Sequence, residues 1–445
     1  MSIRALLWLM GFLGGAFLAV SFHPVYGVYI YFLDYYSHPP LRWWGKNLPD
    51  PRWSLIASLV LMIAYNVRRK ALTYDLKVFD FPQTKWFAIF VIYAWIITLS
   101  PLAVWKDFSW EMAITLTKYY VFYCLLIKTA SDPKHFRIVL MLQLFGLMEW
   151  GWSAFENPRR EAGRLMGIGG ADTLNDNFTA AHLVALLPLL AVGLFAGKRW
   201  EKIACVIMSP FLLNLFILCN SRGSLLGLVT MSGLALWITR GVVRWKIIGA
   251  MALGGILFLQ LVDPVFFERQ GTTVEYEDDG SAMERVDAWD GALYLLQDHP
   301  LGAGGGAFKA LSPIYIIEIV RNHDGQKRGV HNTLFQLTSD WGIPGLILYT
   351  GFLWAIFREL AHIRRRAPDT PGGQRIVLES VALTLGLSGT LVAGLFSDRL
   401  YGEVIYWLAA FTALLRHTHT LELKAQDEAA NRIEETNVGE PAALA

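Results

Sequence analysis

Charge is what this sequence has least of. Asp, Glu, Lys and Arg make up 17% of its 445 residues, against roughly 25% in soluble globular proteins, while 54% are hydrophobic. That balance excludes a water-soluble fold, because apolar stretches of about 20 residues, enough to cross a bilayer as helix, recur along almost the whole chain. Cysteine is scarce as well. Cys124, Cys205 and Cys219 fall in or at the ends of apolar runs, without CxxC spacing or neighbouring histidines, which excludes a disulfide framework and a zinc site. A net charge of +2 is too small to argue for a nucleic-acid partner. No internal repeat is evident, which speaks against a transporter built from inverted halves. The first apolar segment lacks a small-residue cleavage site followed by a polar domain, so it reads as a retained span.

What is present is a series of about twelve apolar segments, each long enough for a transmembrane helix. They fall near 4–22, 53–67, 86–104, 111–130, 135–155, 177–196, 200–219, 223–240, 244–262, 333–357, 376–397 and 401–416. A short aromatic run from Val25 to Tyr36, fenced by Pro24, Pro39 and Pro40, reads as interfacial, re-entrant or a thirteenth crossing. The expected fold class is therefore all-α, a polytopic integral membrane protein. Basic residues cluster at Arg68, Arg69 and Lys70; Lys134 and Arg137; Lys198, Arg199 and Lys202; Arg240, Arg244 and Lys246; and Arg364, Arg365 and Arg366. These loops alternate correctly if all are cytoplasmic, which puts both termini inside and the one long extramembrane loop, 263–332, outside. Beyond 417 the chain turns polar and reads as a disordered cytoplasmic tail.

The long loop carries an amphipathic helical pattern from Met283 to Gln297 and then the glycine-rich turn Gly302, Gly304, Gly305 and Gly306. That turn follows a helix and lacks the Lys-Ser/Thr ending of a phosphate loop, so it reads as a tight backbone turn. The acidic run Glu275, Glu277, Asp278 and Asp279 lacks calcium-loop spacing and reads as solvated loop, so neither metal nor cofactor is implied.

The informative residues are cations on the wrong side of the membrane. Arg222 opens a span at its outer end, next to the small residues Gly223 and Ser224, where a snorkelling arginine is the plain alternative. Arg285 lies one helical turn from Trp289, whose ring would wall one side of the charge; the alternative is a solvated helix charge paired to Glu284 or Asp287. Arg159, Arg160 and Arg164 form a further outer cluster suited to an anionic headgroup. His331, followed by Asn332, stands where the long loop re-enters the membrane; such a histidine is often structural, yet a neutral imidazole beside phosphate-binding arginines can take a proton near pH 7.

Arg222-Gly-Ser-Leu-Leu226, Arg285 with Trp289, and His331-Asn332 followed by Gly342 and Gly345 together resemble the O-antigen ligase and polymerase superfamily, over about residues 160–415. The amino-terminal region, 1–160, with His23-Pro24, Tyr26-Gly27 and Ser37-His38-Pro39-Pro40, is similar to the O-glycosylation ligases of exosortase-associated exopolysaccharide systems. The resemblance implies a membrane glycosyltransferase of GT-C type in a bacterial inner membrane, with a ligase-like domain over 161–416. It would move a glycan from undecaprenyl diphosphate to an acceptor hydroxyl on the periplasmic face, inverting and without a metal. It also implies that Arg222 and Arg285 hold the diphosphate and that His331 activates the acceptor, while Arg159, Arg160, Arg164, Asn177, Trp289 and Asn332 contribute to substrate binding. A polymerase using the same donor, and a transporter of polyprenyl-linked glycan, are the competing readings.

Overall fold

The structure, a computed structural model, describes residues 2–438 apart from 159, 162–163, 166, 169, 174, 263, 265 and 268–279. It is an all-α membrane architecture. The amino-terminal part comprises α1 (Ile3–Ser21), α2 (Val25–Ser37), α3 (Trp53–Val67), α4 (Pro82–Leu99), α5 (Lys106–Thr129) and α6 (Pro133–Glu156). After a hairpin of two-residue strands, Arg160–Glu161 and Arg164–Leu165, come α7 (Asp176–Leu186), α8 (Leu189–Ala196), α9 (Arg199–Cys219), α10 (Arg222–Ile238) and α11 (Gly241–Leu261). The expected span 177–196 is thus two helices broken at Pro188, which cannot donate a backbone hydrogen bond. A cap of α12 (Gly280–Asp298), α13 (Ala307–Tyr315) and α14 (Ile317–Asn322) leads to α15 (Thr333–Arg366), α16 (Pro371–Gly394) and α17 (Val404–Val438). By length and apolarity 8 helical segments among the described residues suffice to cross a membrane, and α3 and α10 are shorter apolar helices.

Two expectations change. The aromatic run forms α2, which buries most of its residues between α1, α3 and α6; its 13 residues span only about 20 Å, short of the roughly 30 Å hydrocarbon core. The tail expected to be disordered from 417 continues α17 as helix to Val438, because Ala, Glu, Gln, Lys and Arg are strong helix formers and a preformed helix spares them the nucleation step.

Small residues let the helices around the centre approach closely. Gly223 and Gly227 of α10 meet α16: a Cβ on Gly227 would stand 2.5 Å from the Gly389 carbonyl oxygen, and one on Gly223 2.8 Å from Phe396 Cβ. The smallness beside Arg222 therefore serves helix packing.

The glycine-rich turn is a structural clamp. Pro344 has no N–H to give the Asp340 carbonyl, so α15 breaks at Gly342, whose φ of 63° and ψ of −163° suit glycine alone. The carbonyls freed by the break are taken up by the turn. Ala303 N–H donates to Ser339 O at 3.1 Å and Gly304 N–H to Asp340 O at 2.9 Å, while Ile343 N–H reaches back to Pro300 O at 2.9 Å. The Asp340 carboxylate accepts from Ala307 N–H at 3.0 Å, occupying the end of α13 that a phosphate loop would offer its ligand. Gly302 and Gly342 pass so closely that a Cβ on either would strike the other's backbone. Gly342→Ala is expected to cost about 3 kcal/mol, read as a lower thermal midpoint in detergent. Gly233→Ala, where a Cβ meets nothing within 4 Å, should leave the midpoint close to wild type. Equal midpoints for the two variants would contradict the clamp.

Candidate active site

The site gathers on the loops opposite the basic clusters. At the basic end, Asp75 bonds Arg69 and Lys128, and Arg375 bonds Glu201 and Glu379, which ties those loops together. At the other end the chain segments converging are 168–177, 220–224, 284–288, 328–333 and the turn 397–403 between α16 and α17.

Arg222 starts α10 after a left-handed Asn220 (φ 47°), with Ser221 capping the helix by accepting from Ser224 N–H. Asn177 holds this junction: its Oδ1 accepts from Ser221 Oγ at 2.7 Å, so the residue expected to bind substrate braces Arg222's loop. Asn332 likewise spends its side chain as the cap of α15, accepting from Leu334 N–H at 2.8 Å and Phe335 N–H at 3.3 Å. Trp289 turns into the cap core against Phe335, ring centroids 6.0 Å apart, among Ala288, Leu295, Ile316 and Val330. Arg160 and Arg164 lie on the short hairpin. Arg159 and the acidic run 275–279 lie outside the described residues.

His331 adopts a left-handed backbone, φ 52°, a strained conformation for a residue with a side chain. Its imidazole lines a pocket with Glu284, Arg285, Ala288, Ile316, Ile319, Arg328 and Gly329. Arg285 and His331, both singled out from sequence, therefore meet. Arg328 and Glu284 were missed, although Arg328 stands only three residues before His331; its position in a polar loop gave no periodic signal. Glu284 is held at 3.0 Å from His323 Nε2.

Behind His331 stands Asp398, 3.8 Å from ring Nδ1, its other oxygen accepting from Asn332 N–H at 3.1 Å. Gly329 leaves room for this carboxylate: a Cβ there would lie 2.9 Å from Oδ2. Desolvation by the pocket walls, then Arg285 and Arg328, lower the half-exposed imidazole below its ordinary value, against the opposing pull of Asp398. Burial holds Asp398 above the ordinary carboxylate range, partly offset by His331. A neutral imidazole with one nitrogen facing a carboxylate and the other face open to a pocket, with 47% of the side chain exposed, is arranged to accept a proton.

The 397–403 turn joins the site to the core. Thr333 Oγ1 donates to Ser397 O and accepts from Arg399 N–H, both at 2.8 Å. Arg399 grips Asp172 through its two terminal guanidinium nitrogens. Tyr401 donates to Asp340 Oδ2 at 2.7 Å, and Glu403 accepts from Tyr31 at 2.6 Å. Among the described residues no group of three His, Cys, Asp or Glu is placed to hold a metal ion.

Residues 203–350 match the O-antigen ligase family. The matched segment runs from α9 into α15 and takes in Arg222, Arg285, Arg328 and His331, so this part of the chain is similar to the O-antigen ligase and polymerase superfamily. Glycan transfer of that general kind follows at the family level. No curated protein is similar to the chain. Asp172, Asp398 and Arg399 lie beyond the matched segment.

Because His331 is held below its ordinary value of about 6.5, its base form persists in mildly acidic solution, and turnover should fall only as pH drops through that lowered value. Asp398→Asn removes the one group that raises the imidazole, so the acid limb of the pH profile should move further down while turnover at neutral pH drops about tenfold or more. An acid limb that stays in place would show that Asp398 does not act on the ring.

Proposed function

We propose that the protein transfers a glycan from undecaprenyl diphosphate to an acceptor hydroxyl at the outer face of a bacterial inner membrane. The observation that carries the reading is the pocket in which His331 faces Arg285 and Arg328, within the segment that matches the O-antigen ligase family. Arg222 and Arg285 would hold the diphosphate through bidentate hydrogen bonds. The acceptor oxygen bonds the anomeric carbon as the carbon–oxygen bond to diphosphate breaks, and the configuration inverts. The acceptor proton passes to His331 and then to water, while the charge left on the diphosphate is met by fixed guanidinium groups in place of a metal. Glu284, beside Arg285 in α12, would meet hydroxyls better than the diphosphate, since a carboxylate disfavours a neighbouring anion. The amino-terminal region, 1–160, resembles the O-glycosylation ligase branch of exosortase-associated systems, and on that resemblance the acceptor would not be another lipid-linked repeat.

The orientation rests on the basic loops sharing the end opposite the site. In intact cells a membrane-impermeant thiol reagent should label Asp290→Cys in the exposed face of α12, but Arg365→Cys only after permeabilisation. The reverse pattern would place the site in the cytoplasm and end this reading. In purified protein, Arg222→Ala and Arg285→Ala should each lower transfer about a hundredfold, as when a fixed donor to a developing oxyanion is lost. His331→Ala should abolish transfer and leave donor binding near wild type. Normal transfer by Arg285→Ala would reduce that residue to a solvated helix charge.

A further inference from the structure

Outside the residues that touch the pocket, the strongest unexplained feature is the buried pair Asp172–Arg399. Both side chains are sequestered, 15% and 2% exposed, and the pair is bidentate. A buried ion pair is a poor source of stability, since apolar residues of the same volume do as well; where one persists, geometry is the more informative reason. The geometry here is specific. Asp172 is fixed from three sides. Ala171 N–H donates to Tyr35 O at 3.3 Å, Gly170 abuts the Trp150 indole, and buried Arg42 donates to the Ile168 carbonyl and to Ser153. His182 Nδ1 lies 3.4 Å from Asp172 Oδ2 and continues to Tyr36 and Gln143. Arg399 sits over the Phe178 ring at 5.0 Å and is the residue next to Asp398. Its own N–H is bound by Thr333, two residues after His331.

We propose that Asp172 and Arg399 are positioning residues for His331. The ion pair anchors the 397–399 turn to the segment around Asp172, which Tyr35 and Arg42 hold, and so fixes which way the Asp398 carboxylate points and where the His331 ring rests. The proposal rests on His331 as the base in glycan transfer, but its physical content can be tested without substrate.

Removing the Asp172 charge leaves a buried guanidinium without its carboxylate, next in the chain to Asp398. Drawn towards Arg399, Asp398 would no longer face His331. The ring would then feel Arg285, Arg328 and Glu284 without its opposing carboxylate. Loss of a nearby anion lowers the pKa of an imidazole, so the ring should titrate at lower pH. The test compares wild type, Asp172→Asn and, as a second route into the pair, Arg399→Lys, which keeps charge but loses the fork. Glu379→Gln serves as control, because it breaks the other buried pair, Arg375–Glu379, at the far end of the bundle. In folded, detergent-purified protein labelled at histidine, NMR titration of His331 should move down by about half a pH unit or more in Asp172→Asn and Arg399→Lys, and stay put in Glu379→Gln. Transfer should fall about tenfold in both pair variants with donor affinity within about twofold of wild type.

A titration unchanged in both pair variants overturns the proposal, as does an equal shift in Glu379→Gln. If Asp172→Asn does not fold, Arg399→Lys alone decides. Absence of transfer by wild-type protein would refute the functional reading instead, and the titration would still report whether the pair positions the ring.

Discussion

One turn of seven residues, 397–403, holds the functional end of this molecule together, and it does so by satisfying charge in a place where charge is expensive. Asp398, Arg399, Tyr401 and Glu403 each face a different element: the His331 loop, the 168–173 loop, α15 and α2. An isolated ion in a medium without water costs several kcal/mol even after relaxation, so each of these groups is stable only while its partner is in place. The partners lie from 61 to 372 residues away in the chain. The turn therefore makes the correct assembly of the bundle a condition of its own burial. The arrangement of His331 and Asp398 is one product of that condition.

Around it, the site follows a division of labour between side chains that reach the pocket and side chains that hold them there. Arg285, Arg328 and His331 line the pocket. Asn177, Asn332 and Thr333 look equally suited to a ligand, but they cap helices and tie loops. The distinction is one of unsatisfied backbone. A helix that begins at the site leaves N–H groups without partners, and the nearest short polar side chain is drawn to them before any substrate arrives.

That competition explains what was legible in the sequence. The spans were visible because a bilayer demands long apolar runs, and Arg222, Arg285 and His331 stood out as polar groups placed where loop-charge statistics do not expect them. The glycine-rich turn was recognisable as a turn, because φ values of 94°, 86° and 74° at Gly302, Gly304 and Gly306 suit little else. The 397–403 turn was hidden within the gap between two apolar runs, and nothing local announces that Asp398 faces a histidine 67 residues earlier. Asp172 was equally silent. Long-range pairing of single residues leaves no periodic trace. The helical tail was misread for the opposite reason, since a polar composition that cannot build a core can still extend a helix whose first turns are already formed.

The break at Gly342 has a consequence for how the chain can vary. The turn 300–307 is pinned on one side by α15 and on the other by segments made much earlier, since Tyr93 donates to Leu301 O, Val104 N–H to Ala303 O and Gly305 N–H to Ser109 Oγ. The connection from the cap to α15 is thus held part-way along and not only at its ends. A single residue inserted between His299 and Ala307 would move three sets of backbone partners out of register at once.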